Sequence, residues 1–417
     1  MNQLAPFHEQ ISQFSPLDVL LADVAIRVQL SPTEYLTAIQ HYKVMADWID
    51  RPDSPLHGLV DEFYPQGGFS TGSTVAGHSE KADFDLDAMA RINWPRNIDP
   101  EMALSWLNKA IAGDYGSRYY DKTERKTRCS QVKYESMHLD VTPSVLLSEF
   151  QAKTSFIFHS KPSDPSVKKE TLFANPHGLA QWFNGRTIQN IAFGTYFESL
   201  SLQYDRTVHA LKADTTPVPE QLPAYKKSPQ VVCLQLIKRW RNIAYDRSHR
   251  ELKLPPSVLL TYFIGDQTGG IRSLTDELIH HVESIAFRIE LASANADPNA
   301  RLLDEVNPKC EQDVLTDRWP RNVEEQNVFA RELRGFLSDL RRLKAGAPIA
   351  EMRRVLERLF GEKPAGGAID ALTQRHVQDN LETKSLFLPG IGALPALGSY
   401  AAPAGARPIP RSTPFGD

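Results

Sequence analysis

An α+β fold in two lobes is what this chain predicts, and three observations carry the prediction. Before about residue 214, capped amphipathic helices alternate with short strands of period 2. Beyond about residue 229, helical periodicity takes over, and the last fifty or so residues are rich in Pro, Gly and Ala. Between the two patterns lies "DTTPVPEQLPAYKKSP", a proline-rich boundary. The expected division is an N-terminal segment 1–30, a mixed sheet-and-helix lobe 31–220, a helical lobe 221–362 and a flexible tail 363–417.

The elements follow in order. After an irregular start, "SPTEYLTAIQHYKVMADWI" opens with Ser31 as N-cap, Pro32 in the first turn and Glu34 three residues after the cap, a capping box. Leu36, Ile39, Tyr42, Ala46 and Ile49 recur at helical spacing, so the helix runs to about Ile49, where "RPDSP" stops it. A glycine/serine turn, "QGGFSTGSTV", precedes the strand "ADFDLDAM". "DPEMALSWLNKAIAG" is a helix from the cap Asp99 to about Gly113. "RCSQVKY" and "MHLDVTPS" read as neighbouring strands, the second halted by Pro143. "NPHGLAQWFNG" leads into a short helix, and four longer helical stretches begin at "QVVCLQLIKRWRNIAY", "PPSVLLTYFIGD", "SLTDELIHHVESIAFRIELA" and "VEEQNVFARELRGFLSDLRRLKAG".

Bulk properties narrow the function. A net charge of −4 over 417 residues argues against broad attraction to nucleic acid or anionic lipid. No apolar run is long enough for a bilayer and no signal peptide opens the chain, so a soluble cytoplasmic protein is expected. Cys129, Cys233 and Cys310 are odd in number and far apart, which reads as reduced thiols. The twelve histidines show no paired metal-ligand spacing, and His280-His281 read as ordinary helix residues.

Candidate chemistry gathers near the N-terminus. Period 2 places Asp83, Asp85 and Asp87 on one strand face, opposite Phe84 and Leu86. Such like charges suit either a solvated edge strand or a divalent cation. Asp140 stands alone in an apolar strand and needs a partner, a metal or a nearby cation. Glycines in the preceding turn let backbone approach phosphate oxygens.

Together "QGGFSTGSTV", "FDLDA" and "HLDVTPS" resemble the nucleotidyltransferase fold typified by DNA polymerase β, and more narrowly the cyclic-GMP-AMP synthase branch with its bacterial, DncV-like CD-NTases. The resemblance spans Ser31 to about Phe360 in element order, with sharp motifs over some thirty positions. It implies that Asp85, Asp87 and Asp140 hold two Mg²⁺ or Mn²⁺ ions, Asp140 nearest the attacking hydroxyl, with Asp83 left unassigned and solvated. The family usually has Gly-Ser in the turn; here Gly67 is followed by Gly68, and Gly72-Ser73 offers a second register. Gln66 and Phe69 favour the first, in which backbone N–H groups cradle phosphate and Ser70 or Ser73 supplies a hydroxyl.

In the helical lobe, "LQLIKRWRN" reads either as a solvated basic face with Trp240 in the core, or by resemblance as the helix whose Lys238, with Ser257 nineteen residues on, closes over a donor triphosphate. Arg334, Arg341, Arg342 and Lys344 read as a solvated face. The resemblance implies a synthase joining ATP, with ATP or GTP, into a cyclic di- or trinucleotide for antiphage signalling through a separate effector. A linear oligoadenylate-type transferase and a non-catalytic nucleotide-binding regulator are the alternatives. No zinc thumb is present, so no DNA requirement is expected, and the terminus "STPFGD" is compatible with attachment by ubiquitin-like machinery.

Overall fold

Two hydrophobic cores organise the molecule, and the first and last long helices of the chain share one of them. The computed structural model describes residues 14–76, 83–147, 153–211, 227–267 and 272–382 (162, 165 and 166 apart), with short strands at Ser385–Leu388, Gly392–Pro395 and Arg407–Pro408. The proline-rich boundary, the flexible tail beyond residue 382 and the terminus "STPFGD" fall largely outside the described residues.

The chain begins with α1 (Pro16–Val28) and α2 (Pro32–Ile49). The second keeps its expected frame: Ser31 Oγ accepts from Glu34 N–H, and the Glu34 carboxylate accepts from Ser31 N–H at 2.9 Å. A mixed sheet then forms around β1 (Val60–Gln66), a single turn α3 (Gly67–Ser70) and β2 (Phe84–Ile92). After α4 (Pro100–Ala112), capped by Asp99 and closed by Gly113 at φ +71°, come β3 (Thr123–Arg125), β4 (Ser130–Lys133), β5 (Met137–Leu146), β6 (Ser155–His159) and β7 (Glu170–Ala174). The sheet order is β1-β2-β5-β4-β3, with β6 on β5 and β7 on β6. Among the described strands only β2 and β5 run parallel, and α2 and α4 pack Met45, Ile49, Leu104 and Leu107 against Leu86, Ala88, Leu139 and Val141.

Pro143 does not halt β5. On the side away from β2, the strand pairs with β4 up to Val141 and with β6 from Ser144, so proline sits at the changeover, where its missing N–H interrupts no ladder.

The helical core is larger than expected. It contains α5 (Pro176–Arg186), α6 (Ile191–Leu211), α7 (Pro229–Ser248), α8 (Ser257–Asp266) and α9 (Leu274–Ser293). A small hairpin, β8 (Val306–Asn307) and β9 (Cys310–Val314), is followed by α10 (Val323–Lys344), α11 (Ile349–Phe360) and α12 (Glu362–Glu382). Phe183, Phe193 and Phe197 belong to this core although they precede residue 220. So does α1, expected only as an irregular segment: it is apolar nearly all round, and Asp18 caps α9 by accepting from Thr275 N–H at 2.7 Å.

The stretch from residue 363, expected as tail, is helical to Glu382, with Ala365, Ala368, Ile369 and Leu372 buried. Its small residues serve close packing: a Cβ at Gly367 would lie 2.7 Å from Arg27 Nη1. The basic residues of α10 are not a bare face. Arg334 pairs with Glu290, Arg341 with Glu283 and Lys344 with Asp276, lacing α10 to α9, while Arg342 pairs with Glu351.

Candidate active site

The parallel register of β2 and β5 sets Asp87 directly beside Asp140, and Asp85 beside His138. Alternation turns Phe84, Leu86 and Ala88 into the core and leaves the acids on the opposite face. On the other flank, antiparallel β1 brings Gln66 level with Asp87, so Gly67 emerges next to that carboxylate. Gly67 has φ +59°, and a Cβ there would collide with Asp87 Oδ2. Glycine is required at this position both by the backbone conformation and by the approach to the acid.

The acids repel one another. Burial pushes the Asp87 carboxyl up to about 7, helped by Asp140 and Asp85 and opposed by Lys238. Asp85, more open to solvent, is also shifted upward, by desolvation first, then Asp140 and Asp83, with His138 and Lys238 pulling it back. Asp140 is anchored from β4 and the residue before it: Gln131 Nε2 donates to Oδ1 at 2.9 Å and the Cys129 thiol to Oδ2 at 3.5 Å. Asp83 is not merely solvated, for its Oδ2 lies 3.1 Å from His138 Nε2. Among the described residues no three His, Cys, Asp or Glu side chains already converge on one ion position. The three carboxylates instead share one face of the paired strands β2 and β5, with excess negative charge that hard divalent cations would neutralise, so their donor chemistry fits Mg²⁺ or Mn²⁺.

The turn after β1 is gripped from behind by α7. Gln235 Nε2 donates to Thr74 O at 3.0 Å, Lys238 Nζ to Ser73 O at 2.9 Å, and Arg239 Nη1 to Ala76 O at 3.2 Å. Residues 235, 238 and 239 share one helix face, which is how one helix reaches three nearby carbonyls. Lys238 is buried, with its ammonium lowered to about 8 by desolvation first and Arg241 second, while Asp87 and Asp85 raise it. Its Nζ lies 3.0 Å from where a Gly68 Cβ would be, so the second glycine makes room for the lysine.

This geometry sorts the expected phosphate contacts. Ser73 is fully buried, with Oγ 2.7 Å from Thr71 Oγ1 and 3.3 Å from Lys238 Nζ, so its hydroxyl supports the loop from inside. Ser70 lies nearer the surface and donates to Gly67 O at 3.0 Å. Ser257 opens α8 and accepts from Arg241 Nη2 at 3.2 Å. Arg241, one helical turn beyond the lysine, thus ties α7 to the start of α8. Burial lowers the Arg241 guanidinium to about 10, and among the described residues no carboxylate pairs with it. The face of α7 carrying these groups was visible in the sequence, but the roles of Arg241, Gln131 and Cys129 around the site were not. The two β4-side contacts to Asp140 depend on cross-strand register, which no local signal reports.

The chain matches the nucleotidyltransferase-domain model of the cyclic GMP-AMP synthase DncV-like family over residues 61–143, the span from β1 through most of β5. Across 401 residues it is 31% identical to the cyclic dinucleotide synthase CdnG of Bradyrhizobium diazoefficiens, covering 94% of this chain and 93% of the relative. It is 23% identical over 359 residues to a c-di-GMP synthase of Roseivirga ehrenbergii, covering 85% of this chain and 87% of that protein. The structure of the Bradyrhizobium CD-NTase CdnG in complex with GTP superposes with a TM-score of 0.72 at 29% identity, over 86% of this chain and all of that one.

Proposed function

This chain belongs to the DncV-like CD-NTase family of nucleotidyltransferases, and from that premise we propose that it joins two nucleoside triphosphates into a cyclic dinucleotide. The observation that carries the reading is the Asp87–Asp140 register beside Gly67. GTP, alone or with ATP, is the proposed substrate, a choice supported by the names of the two relatives and by the nucleotide bound to one of them. In each of two successive transfers a ribose hydroxyl oxygen bonds to an α-phosphorus, the α–β phosphoanhydride bond breaks, and pyrophosphate leaves with its electron pair.

The residues divide this work. Asp85, Asp87 and Asp140 would hold two divalent ions, which when bound neutralise charge at the phosphates and acidify the attacking hydroxyl. Asp140, anchored by Gln131 and Cys129, would act on the acceptor hydroxyl. The first-turn N–H groups of α3, left without intrahelical acceptors, point phosphate recognition toward Gly67 and Gly68. Lys238 contributes its charge from beneath that loop, and Arg241 orients Ser257. A cytoplasmic signalling role, with the product acting on a separate effector in antiphage defence, completes the proposal; no helix among the described residues is long and apolar enough to cross a membrane.

The test is incubation of the full chain with ATP, GTP, CTP and UTP plus Mg²⁺ or Mn²⁺, phosphatase treatment, and mass spectrometry. A phosphatase-resistant cyclic product, absent with Asp85→Ala/Asp87→Ala, is expected. A linear product would overturn cyclisation while leaving nucleotidyl transfer intact.

A further inference from the structure

The loop from Gly67 to Ala76 is held from a second direction, by the junction between α1 and α2. Val28 O, at the end of α1, accepts from Ala76 N–H at 2.7 Å, which pins the far end of the loop. Gln29, the C-cap of α1, is only 7% exposed. Its side chain reaches both α6 and α7. The Oε1 atom accepts from Gln235 Nε2 at 3.4 Å and from Lys227 Nζ, while Nε2 donates to Ser201 Oγ at 3.3 Å. Gln235 Nε2 is the same group that donates to Thr74 O. A polar chain therefore runs Ser201–Gln29–Gln235–Thr74, and every member of it is buried.

Peptide geometry shows what this chain controls. With Ser73 O bonded to Lys238 and Thr74 O to Gln235, both carbonyls face α7. These peptides are trans, so the N–H that follows each carbonyl points the opposite way. The N–H groups of Thr74 and Val75 thus face away from α7, and among the described residues neither has a backbone acceptor. Thr74 N lies 3.3 Å from the position a Gly68 Cβ would take, against the turn where phosphate recognition is proposed. Successive N–H groups turned one way suit an anion, whereas a carbonyl rotated into their place would repel it.

We propose that Gln29 is a positioning residue for the donor nucleotide, fixing Gln235 so that the loop keeps N–H groups, not carbonyls, toward the triphosphate. The assignment rests on the nucleotidyl-transfer reading above. Gln29 acts through Gln235 and the loop rather than on the nucleotide itself. A glutamine suits the role because one amide accepts from Gln235 and Lys227 and donates to Ser201 at the same time.

Two arms test it on the full chain. The first follows hydrogen exchange by mass spectrometry in peptides covering residues 67–76, for wild type, Gln29→Met and Ser201→Ala. Methionine keeps the volume and removes the polar ends, so the fold should survive, with thermal midpoints as the check. Ser73 N–H and Ala76 N–H are held by Gly68 O and Val28 O. Exchange in this stretch should rise about tenfold in Gln29→Met and less in Ser201→Ala. Gln29→Glu should restore most of the protection, since a carboxylate still accepts from Gln235 and Lys227 while the Ser201 hydroxyl turns to donate. The second arm measures calorimetric affinity for α,β-methylene GTP with Mg²⁺, and the KM for GTP. Gln29→Met should weaken both roughly tenfold, with kcat within about twofold of wild type. Gln29→Met/Gln235→Met should be no weaker than Gln235→Met alone, because both break one chain. Glu277→Ala, destabilised elsewhere in the helical lobe, should leave loop exchange and affinity unchanged. Unchanged exchange and affinity in folded Gln29→Met and Ser201→Ala overturn the proposal, even if cyclic product forms. Losses that add in the double variant, or that recur in Glu277→Ala, make Gln29 a packing residue and overturn it too. Faster loop exchange with unchanged analogue affinity overturns the donor assignment. Faster exchange and weaker analogue binding in a chain that forms no product support the positioning role and count against the synthase reading instead.

Discussion

Two groups of buried charge show how differently this protein treats structure and chemistry. In the helical lobe, acids are matched. Burial alone would raise Glu277, yet His281, Arg272 and Gln230 hold its carboxyl down at about 2. Asp23, raised by burial, is still bracketed by Arg27 at 2.8 Å and Arg375 at 3.2 Å. On the mixed sheet the reverse holds: Asp87 is buried among other acids and has no ion-pair partner among the described residues. The closed networks fix helices relative to one another; the open one retains unsatisfied charge that a ligand can satisfy. A charge left uncompensated in an otherwise well-paired molecule marks where the ligand belongs.

The sharpest way to break this contrast is to neutralise the open charge. Asp87→Asn should lower product formation on the order of 10³-fold or more, while making the metal-free protein more stable at neutral and alkaline pH. The Asp87 carboxyl lies at about 7 in the folded chain against an ordinary 3.8. Between those values the unfolded chain has released a proton that the folded chain retains, so stability falls as pH rises through that window and the penalty is complete above it. Thermal midpoints in EDTA from pH 4 to 9 should slope less in the variant, and excess Mg²⁺ should stabilise wild type selectively. An unchanged slope would show that Asp87 is already compensated.

Gly67→Ala probes the same open site through the backbone. With φ +59° and Asp87 in the way of a Cβ, activity should fall roughly a hundredfold. Gly116→Ala is the control, because its φ is +84° with nothing within 4 Å of the added carbon, so it meets backbone strain alone. Equal losses in both would remove the Asp87 contact as the cause.

The closed network should behave oppositely. Glu277→Ala leaves Arg272 and His281 without their carboxylate and should cost about 3 kcal/mol of stability by denaturant unfolding, with activity per folded molecule retained. Glu277 ordinarily titrates at 4.5. Its stabilising contribution is therefore present above that value and is lost as pH falls toward 2. The smallest effect is expected at Gln131→Ala, which releases Asp140 Oδ1. Mn²⁺ affinity should weaken about tenfold, as for the loss of a side chain that orients a ligand. An unchanged Mn²⁺ titration would make Gln131 a strand-pairing residue only.

Local signals were legible where neighbours in sequence decide the outcome. Ser31 and Glu34 close their capping box within four residues, Asp99 caps α4, and period 2 alone aligns Asp85 with Asp87. Composition misled at the chain's end, where Ala365, Gly366, Gly367 and Ala368 resemble a flexible segment but provide the small surfaces that let α12 approach Arg27 of α1. Pro143 misled because its effect depends on which strand lies opposite.

By itself, then, the sequence determined the capped helices, the alternating acids and the paired glycines, because each is specified by residues within one or two turns of chain. Tertiary structure alone decided that Asp87 lies beside Asp140, that Gln131 and Cys129 hold the latter, and that Lys238 supports the loop from beneath. It also decided that Arg128 and Arg318 share His159. These contacts join residues from nine to 165 positions apart, and register and lobe packing, which set such distances, are properties of the whole buried surface rather than of any short stretch within it.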